Sequence, residues 1–121
     1  MRISKVVVAS VMVCAGVVGA QSRLLVAVKG TQSLAVVDPE SGSVVATVPE
    51  GGNTGHEVIA SADGKTAFVP VYGNSGVGKP GTDGDTIAAI DLASSKVVGK
   101  IGFNHGVRPH CPLIGPKDGL L

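Results

Sequence analysis

From Gln21 onward the apolar residues come in seven short bursts: "RLLVAVK" (23–29), "QSLAVVD" (32–38), "SVVATVP" (43–49), "HEVIAS" (56–61), "KTAFVPV" (65–71), "DTIAAID" (85–91) and "KVVGKIG" (96–102). Each is rich in Val, Ile and Ala and is bounded by turn-forming residues, as in "PESG", "EGGNTG", "ADG" and "LASS". Short β-branched runs separated by close, regular turn signals predict strands joined as antiparallel hairpins. No eleven-residue window carries a 3.6-residue apolar period, so no substantial helix is expected in this region. The predicted fold class is all-β.

Residues 1–20 follow a different pattern. Arg2 and Lys5 precede the uncharged run "VVVASVMVCAGVVGA", and Val18 and Ala20 stand three and one residues before a cut ahead of Gln21. That is the layout of a secretory signal peptide. Fifteen apolar residues fall short of the roughly 20 that span a bilayer, so no membrane span is expected once the signal is cleaved. Met12 and Val13 are bulky where a lipoprotein signal has small residues, so Cys14 reads as part of the removed segment. The expected location is the periplasm or the medium.

Removing 1–20 changes the charge and the cysteine count. Eight Lys/Arg then stand against nine Asp/Glu, without runs. This balance speaks against nucleic acid or an anionic membrane surface as partner. One cysteine remains, Cys111, so no internal disulfide can form.

The chain repeats itself. "SLAVVDPESGSVVATVP" (33–49) superposes without gaps on "TIAAIDLASSKVVGKIG" (86–102) at a shift of 53, matching Asp38 to Asp91 and Val48 to Ile101. With one gap, residues 50–68 match 103–121, which places His56 near His110 and Asp63-Gly64 near Asp118-Gly119. A third partial copy relates "LLVAVKGTQSLAVVD" to "AFVPVYG" followed, beyond a glycine-rich loop, by "DTIAAID". Without most of that loop the period is about 40–45 residues, the length of one four-stranded propeller blade. The loop, 73–84, then reads as an insertion between two strands of one repeat.

These residues resemble the YVTN-type β-propeller repeat proteins of the lactonase-like superfamily. Segments carrying the resemblance are "VVDPESGSVVATVPEGG…GHEVIASADGKTAFV" and "AIDLASSKVVGKIG…RPHCPLIGPKDGLL". It implies about two four-stranded antiparallel blades across 21–121. A propeller usually closes with 4–8 blades, so the chain is expected to be a fragment of a longer protein or to assemble from copies.

The insertion contains "GNSGVGKP", one residue short of a phosphate-binding loop. Pro80 stands where that motif needs Ser or Thr, and "GTDGD" cannot open the helix whose amides would face a phosphate. No nucleotide is expected there. Asp83 and Asp85 flank Gly84 and read as a solvated loop tip, since a hard cation needs 6–8 oxygens.

His56 and His110 recur at equivalent points of two repeats, each just before a strand. With Glu57 they make a candidate metal site, because imidazole and carboxylate suit zinc, copper or iron. They could also act as general base and acid, or lock strand ends through Asp38 or Asp91. The two aspartates themselves read as turn caps. Cys111 reads as a small buried residue. The resulting expectation is an exported binding or scaffolding module for an unidentified protein or small-molecule ligand. The alternative is a metal-assisted, lactonase-like hydrolase or a redox-enzyme propeller using His56, Glu57, His110 and a divalent metal.

Overall fold

The computed structural model describes residues 21–53, 55, 57–76 and 78–121; residues 1–20, Thr54, His56 and Val77 lie outside the described residues, and with them the expected signal peptide. Seven strands form: β1 (Leu24–Val28), β2 (Ser33–Val37), β3 (Val44–Pro49), β4 (Ile59–Ala60), β5 (Thr66–Gly73), β6 (Asp83–Asp91) and β7 (Lys96–Gly102). Each falls on one of the seven apolar bursts. The helical content among the described residues is a single 3-10 turn, Lys29–Thr31. The fold is all-β, as two antiparallel sheets ordered β1-β2-β3 and β4-β5-β6-β7. The expectation of four strands per sheet holds for the second. The first has three among the described residues.

The two sheets share one pairing register. In the first, Leu34 pairs Val48 and Val36 pairs Ala46, and a bulge then falls between Val36 and Val37. In the second, Ile87 pairs Ile101 and Ala89 pairs Gly99, with the bulge between Ala89 and Ile90. Every one of these positions is related by the shift of 53. Likewise Leu24 pairs Val37 as Ala67 pairs Ile90, and Val28 pairs Ser33 as Val71 pairs Thr86. These β1 and β5 positions are related by 43. The ten-residue difference sits in the β5–β6 hairpin, where the glycine-rich loop was expected as an insertion. Because side chains alternate faces with a period of two, a bulge in the same place in both sheets keeps equivalent residues on equivalent faces.

The turns repeat as well. Asp38 Oδ1 accepts the backbone N–H groups of Glu40 and Ser41, and Asp91 Oδ1 accepts the N–H and hydroxyl of Ser94. The left-handed position that closes each turn is Gly42 (φ 69°) in one and Ser95 (φ 55°) in the other. Asp63 Oδ1 accepts the N–H of Lys65 as Asp118 Oδ1 accepts that of Leu120. Gly64 and Gly119 beside them have φ of 69° and 68°.

One core joins the sheets. Leu34 and Val48 of the first pack with Ala67, Val69 and Ile90 of the second, flanked by Leu25, Val58, Leu92 and Val97. Strand alternation puts Leu25, Leu34 and Val48 on one face of the first sheet, and Ala67, Val69, Ile90 and Val97 on one face of the second. These are not repeat-equivalent faces. The counterparts of Leu34 and Val48 are Ile87 and Ile101, on the opposite face of the second sheet. Those of Ala67 and Val69 are Leu24 and Val26, on the opposite face of the first. The sheets therefore stack head to tail, leaving Leu24 (53% exposed), Val26 (37%) and Ile101 (41%) on the two outer faces.

Short β4 has a chemical reason. It pairs only Phe68 and Ala67 of β5 and stops before Pro70, which has no N–H to offer a ladder.

Candidate functional site

Beyond β7 the chain turns back along the start of β6. Phe103 N–H donates to Asp85 O, and the N–H groups of Val107 and Arg108 both donate to Gly84 O, each at 2.9 Å. This stitching holds the link against the loop end of the second sheet. The Arg108 guanidinium lies 4.5 Å from the Tyr72 ring centroid, donates to the Tyr72 hydroxyl and stands 3.7 Å from Asp83 Oδ1. Ser75 donates its hydroxyl to the same carboxylate. Asp83 is exposed, as expected, but it opens β6 rather than tipping the loop and anchors this arginine.

Arg108 and Cys111 both have left-handed backbone, φ 54° and 49°. Non-glycine residues are uncommon there, and the two turns carry the chain across the sheet end to meet Glu57, which precedes β4. Glu57 Oε1 is 3.0 Å from His110 Nδ1. His110 Nδ1 is 3.0 Å from Cys111 Sγ, and the thiol reaches back to Glu57 Oε1 at 3.5 Å. The other carboxylate oxygen, Oε2, accepts the Cys111 N–H. Tyr72 meets the His110 ring edge-on, with centroids 5.5 Å apart and planes at 66°. The hydrogen bond to Glu57 is the main cause holding the Cys111 thiol above its ordinary value, with burial and the carboxylate charge acting the same way.

Of the expected metal ligands, the structure brings Glu57 and His110 together, and His56 lies outside the described residues. Cys111 is exposed, contrary to the buried reading, and joins the other two. Among the described residues these three offer one ligand atom each, all within 4.8 Å of one another. Composition could not place Cys111 here, because its side chain is aimed by a left-handed turn that no glycine announces.

Asp38 and Asp91 act as turn caps, as expected. Backbone N–H groups of Ser41 and Glu40 hold Asp38 below its ordinary value, and the Ser94 hydroxyl and N–H do so for Asp91. His110 contacts neither. The loop expected over 73–84 is shorter, 74–82, because Gly73 ends β5 and Asp83 opens β6 rather than a helix; it closes a hairpin, with Asn74 N–H donating to Thr82 O at 3.0 Å.

One buried carboxyl was not singled out from the sequence. Glu50 is fully buried, its Oε2 accepts the Gly55 N–H at 3.1 Å, and its Oε1 has no partner among the described residues. Burial pushes its pKa up, opposed by the Gly55 bond. Residue 55 has to be glycine for this contact, since a Cβ there would lie 2.2 Å from Oε2. Its repeat counterpart is Phe103, so no periodicity pointed to an acid.

A cavity of about 410 Å³ opens between the sheets, lined by Arg23, Leu25, Val36, Ala46, Ala60 and Leu92 among others. None of the Glu57, His110 and Cys111 side chains lines it. No helix among the described residues is long and apolar enough to cross a membrane. No protein-family model and no curated protein matches the chain.

Proposed function

We propose that this chain is part of an exported β-propeller-type repeat protein and works as a binding or scaffolding module. The observation that carries the reading is the head-to-tail stacking. The outer face of each sheet is the repeat counterpart of the face that its neighbour already buries, so each outer face has a ready mate in a further repeat or a further copy. Heterologous contacts of this kind propagate until they close. Stacked sheets of this type present a surface made of their links, and here that surface carries Glu57, Tyr72, Arg108, His110 and Cys111. The strand repeats resemble the YVTN-type units, which supports the propeller form of the stack.

A second reading, a metal-assisted hydrolase, is favoured by the meeting of a carboxylate, an imidazole and a thiol at one end. It ranks second because the cavity between the sheets is lined by none of these groups.

Sedimentation equilibrium of the 121-residue protein, with the mass of the recovered chain read at the same time, tests the proposal. Concentration-dependent association that Leu24→Lys and Ile101→Lys each abolish without loss of β circular dichroism is the expected result, with a mature chain beginning at Gln21. A folded monomer at all concentrations would overturn the stacking, and an uncut chain retained in the cytoplasm would overturn export.

A further inference from the structure

Three contacts at the link end close on the same three atoms. Glu57 Oε1, His110 Nδ1 and Cys111 Sγ form a triangle with edges of 3.0, 3.0 and 3.5 Å. We propose that this triangle is a binding site for a zinc-class divalent cation, with the three atoms as ligands and the remaining position open to solvent.

The dimensions support it. Zinc lies about 2.3 Å from thiolate sulfur, 2.0–2.1 Å from imidazole nitrogen and 2.0–2.2 Å from carboxylate oxygen in near-tetrahedral array. Those lengths place the ligand atoms about 3.4–3.6 Å from one another by simple trigonometry. The sulfur–oxygen edge already has that length, and the other two need to open by only about half an ångström. Without a metal, hydrogen bonds and an ion pair hold the three groups together. A cation takes the place of those contacts at the same centre.

The donor set selects the metal class. A thiolate and an imidazole are poor partners for calcium or magnesium, which take oxygen. Thiolate and carboxylate supply two negative charges against a divalent ion, and the neutral imidazole completes the set.

The surroundings already orient the ligands. Cys111 N–H holds Glu57 Oε2, which leaves Oε1 turned to the pair. Tyr72 meets the His110 ring edge-on, and Arg108 braces Tyr72 through the contacts to its ring and hydroxyl. Outer contacts of this kind fix ligand orientation in metal sites. Exposure of the His110 side chain at 48% leaves the centre reachable from solvent. The proposal rests on the reading of this link surface as the module's binding end and gives that end a ligand.

Titration of the full chain with Co²⁺ under reducing conditions, followed by Zn²⁺ competition, tests it. One equivalent of Co²⁺ is expected to raise a thiolate-to-cobalt charge-transfer band that Zn²⁺ removes. Cys111→Ser should abolish the band and weaken zinc binding at least about tenfold, and Glu57→Gln and His110→Ala should weaken it about 10–100-fold, by analogy with the losses seen when metal-site contacts are removed. Absence of the band in the wild-type chain overturns the site, as does unchanged zinc affinity in Cys111→Ser. The readout is independent of association: a chain that stacks but gives no band loses only the metal site, and one that binds cobalt but stays monomeric loses only the stack.

Discussion

The two sheets have the same register, the same bulge and the same turn caps, yet equivalent positions do different work. Val48 and Ile101 correspond, but Val48 packs in the core between the sheets at 3% exposure and Ile101 lies on the outer face at 41%. Glu50 and Phe103 correspond too, since their N–H groups donate to Gln32 O and Asp85 O. Glu50 is then sealed inside, whereas Phe103 remains partly exposed. Repeated residues build the sheet, and its neighbours decide what each residue experiences.

The largest expected effect tests that contrast at the core. Leu34→Ala should cost about 2–5 kcal/mol, the usual range for deleting a buried leucine side chain. Ile101→Ala, on an outer face, should cost less than about 1 kcal/mol in dilute protein. Urea midpoints measure both. Equal costs would mean that the outer face is as well covered as the inner one, which would break the head-to-tail description.

A smaller effect separates Glu50 from Phe103. Glu50 is held above its ordinary value of 4.5 by burial, so the native state keeps a proton that the unfolded chain has released. Stability should therefore fall as pH rises from about that ordinary value through the raised one. Glu50→Gln should remove this decline from the pH profile of the urea midpoint, and Phe103→Glu should not introduce one. The aspartates run the other way. Asp38, Asp63 and Asp91 lie below their ordinary 3.8, the Ser61 hydroxyl being the main cause for Asp63. Their contribution is complete above that value and is lost as pH falls through their folded values, so the two acid-range effects separate along the pH axis.

The smallest effect compares the closing residues of the two equivalent turns. Gly42→Ala should destabilise by about 1 kcal/mol, the cost of a Cβ in left-handed backbone. Ser95→Gly should stabilise by less than that, because glycine also adds freedom to the unfolded chain. Thermal unfolding of the two single variants checks the opposite signs. A shift of the same sign in both would show that the turns are not mechanically equivalent.

Much of the architecture was legible in the chain. The seven bursts became seven strands because period-two alternation with β-branched residues fits a pleated sheet. The ungapped match of 33–49 to 86–102 falls on segments that pair in the same register, while the bulge each carries had no signal in the chain. Asp38 and Asp91 announced their turns, since an aspartate side chain caps backbone N–H groups locally. The site was legible only in part. Glu57 and His110 were recognisable as chemistry-bearing residues, but the strand expected after His110 does not form among the described residues, and Cys111 was read as buried where it is exposed. Its placement depends on left-handed backbone at Arg108 and Cys111 and on hydrogen bonds to Gly84 O, contacts between segments more than twenty residues apart.

The sequence by itself determined the all-β class, the strand positions and the turn chemistry, because each of these is set by residues within a few positions of one another. Tertiary structure alone decided which sheet face is inside, that Glu50 is buried, and that Glu57, His110 and Cys111 meet. Those outcomes depend on how one sheet stacks on the next and on where a link crosses its end, and local pattern carries no information about either.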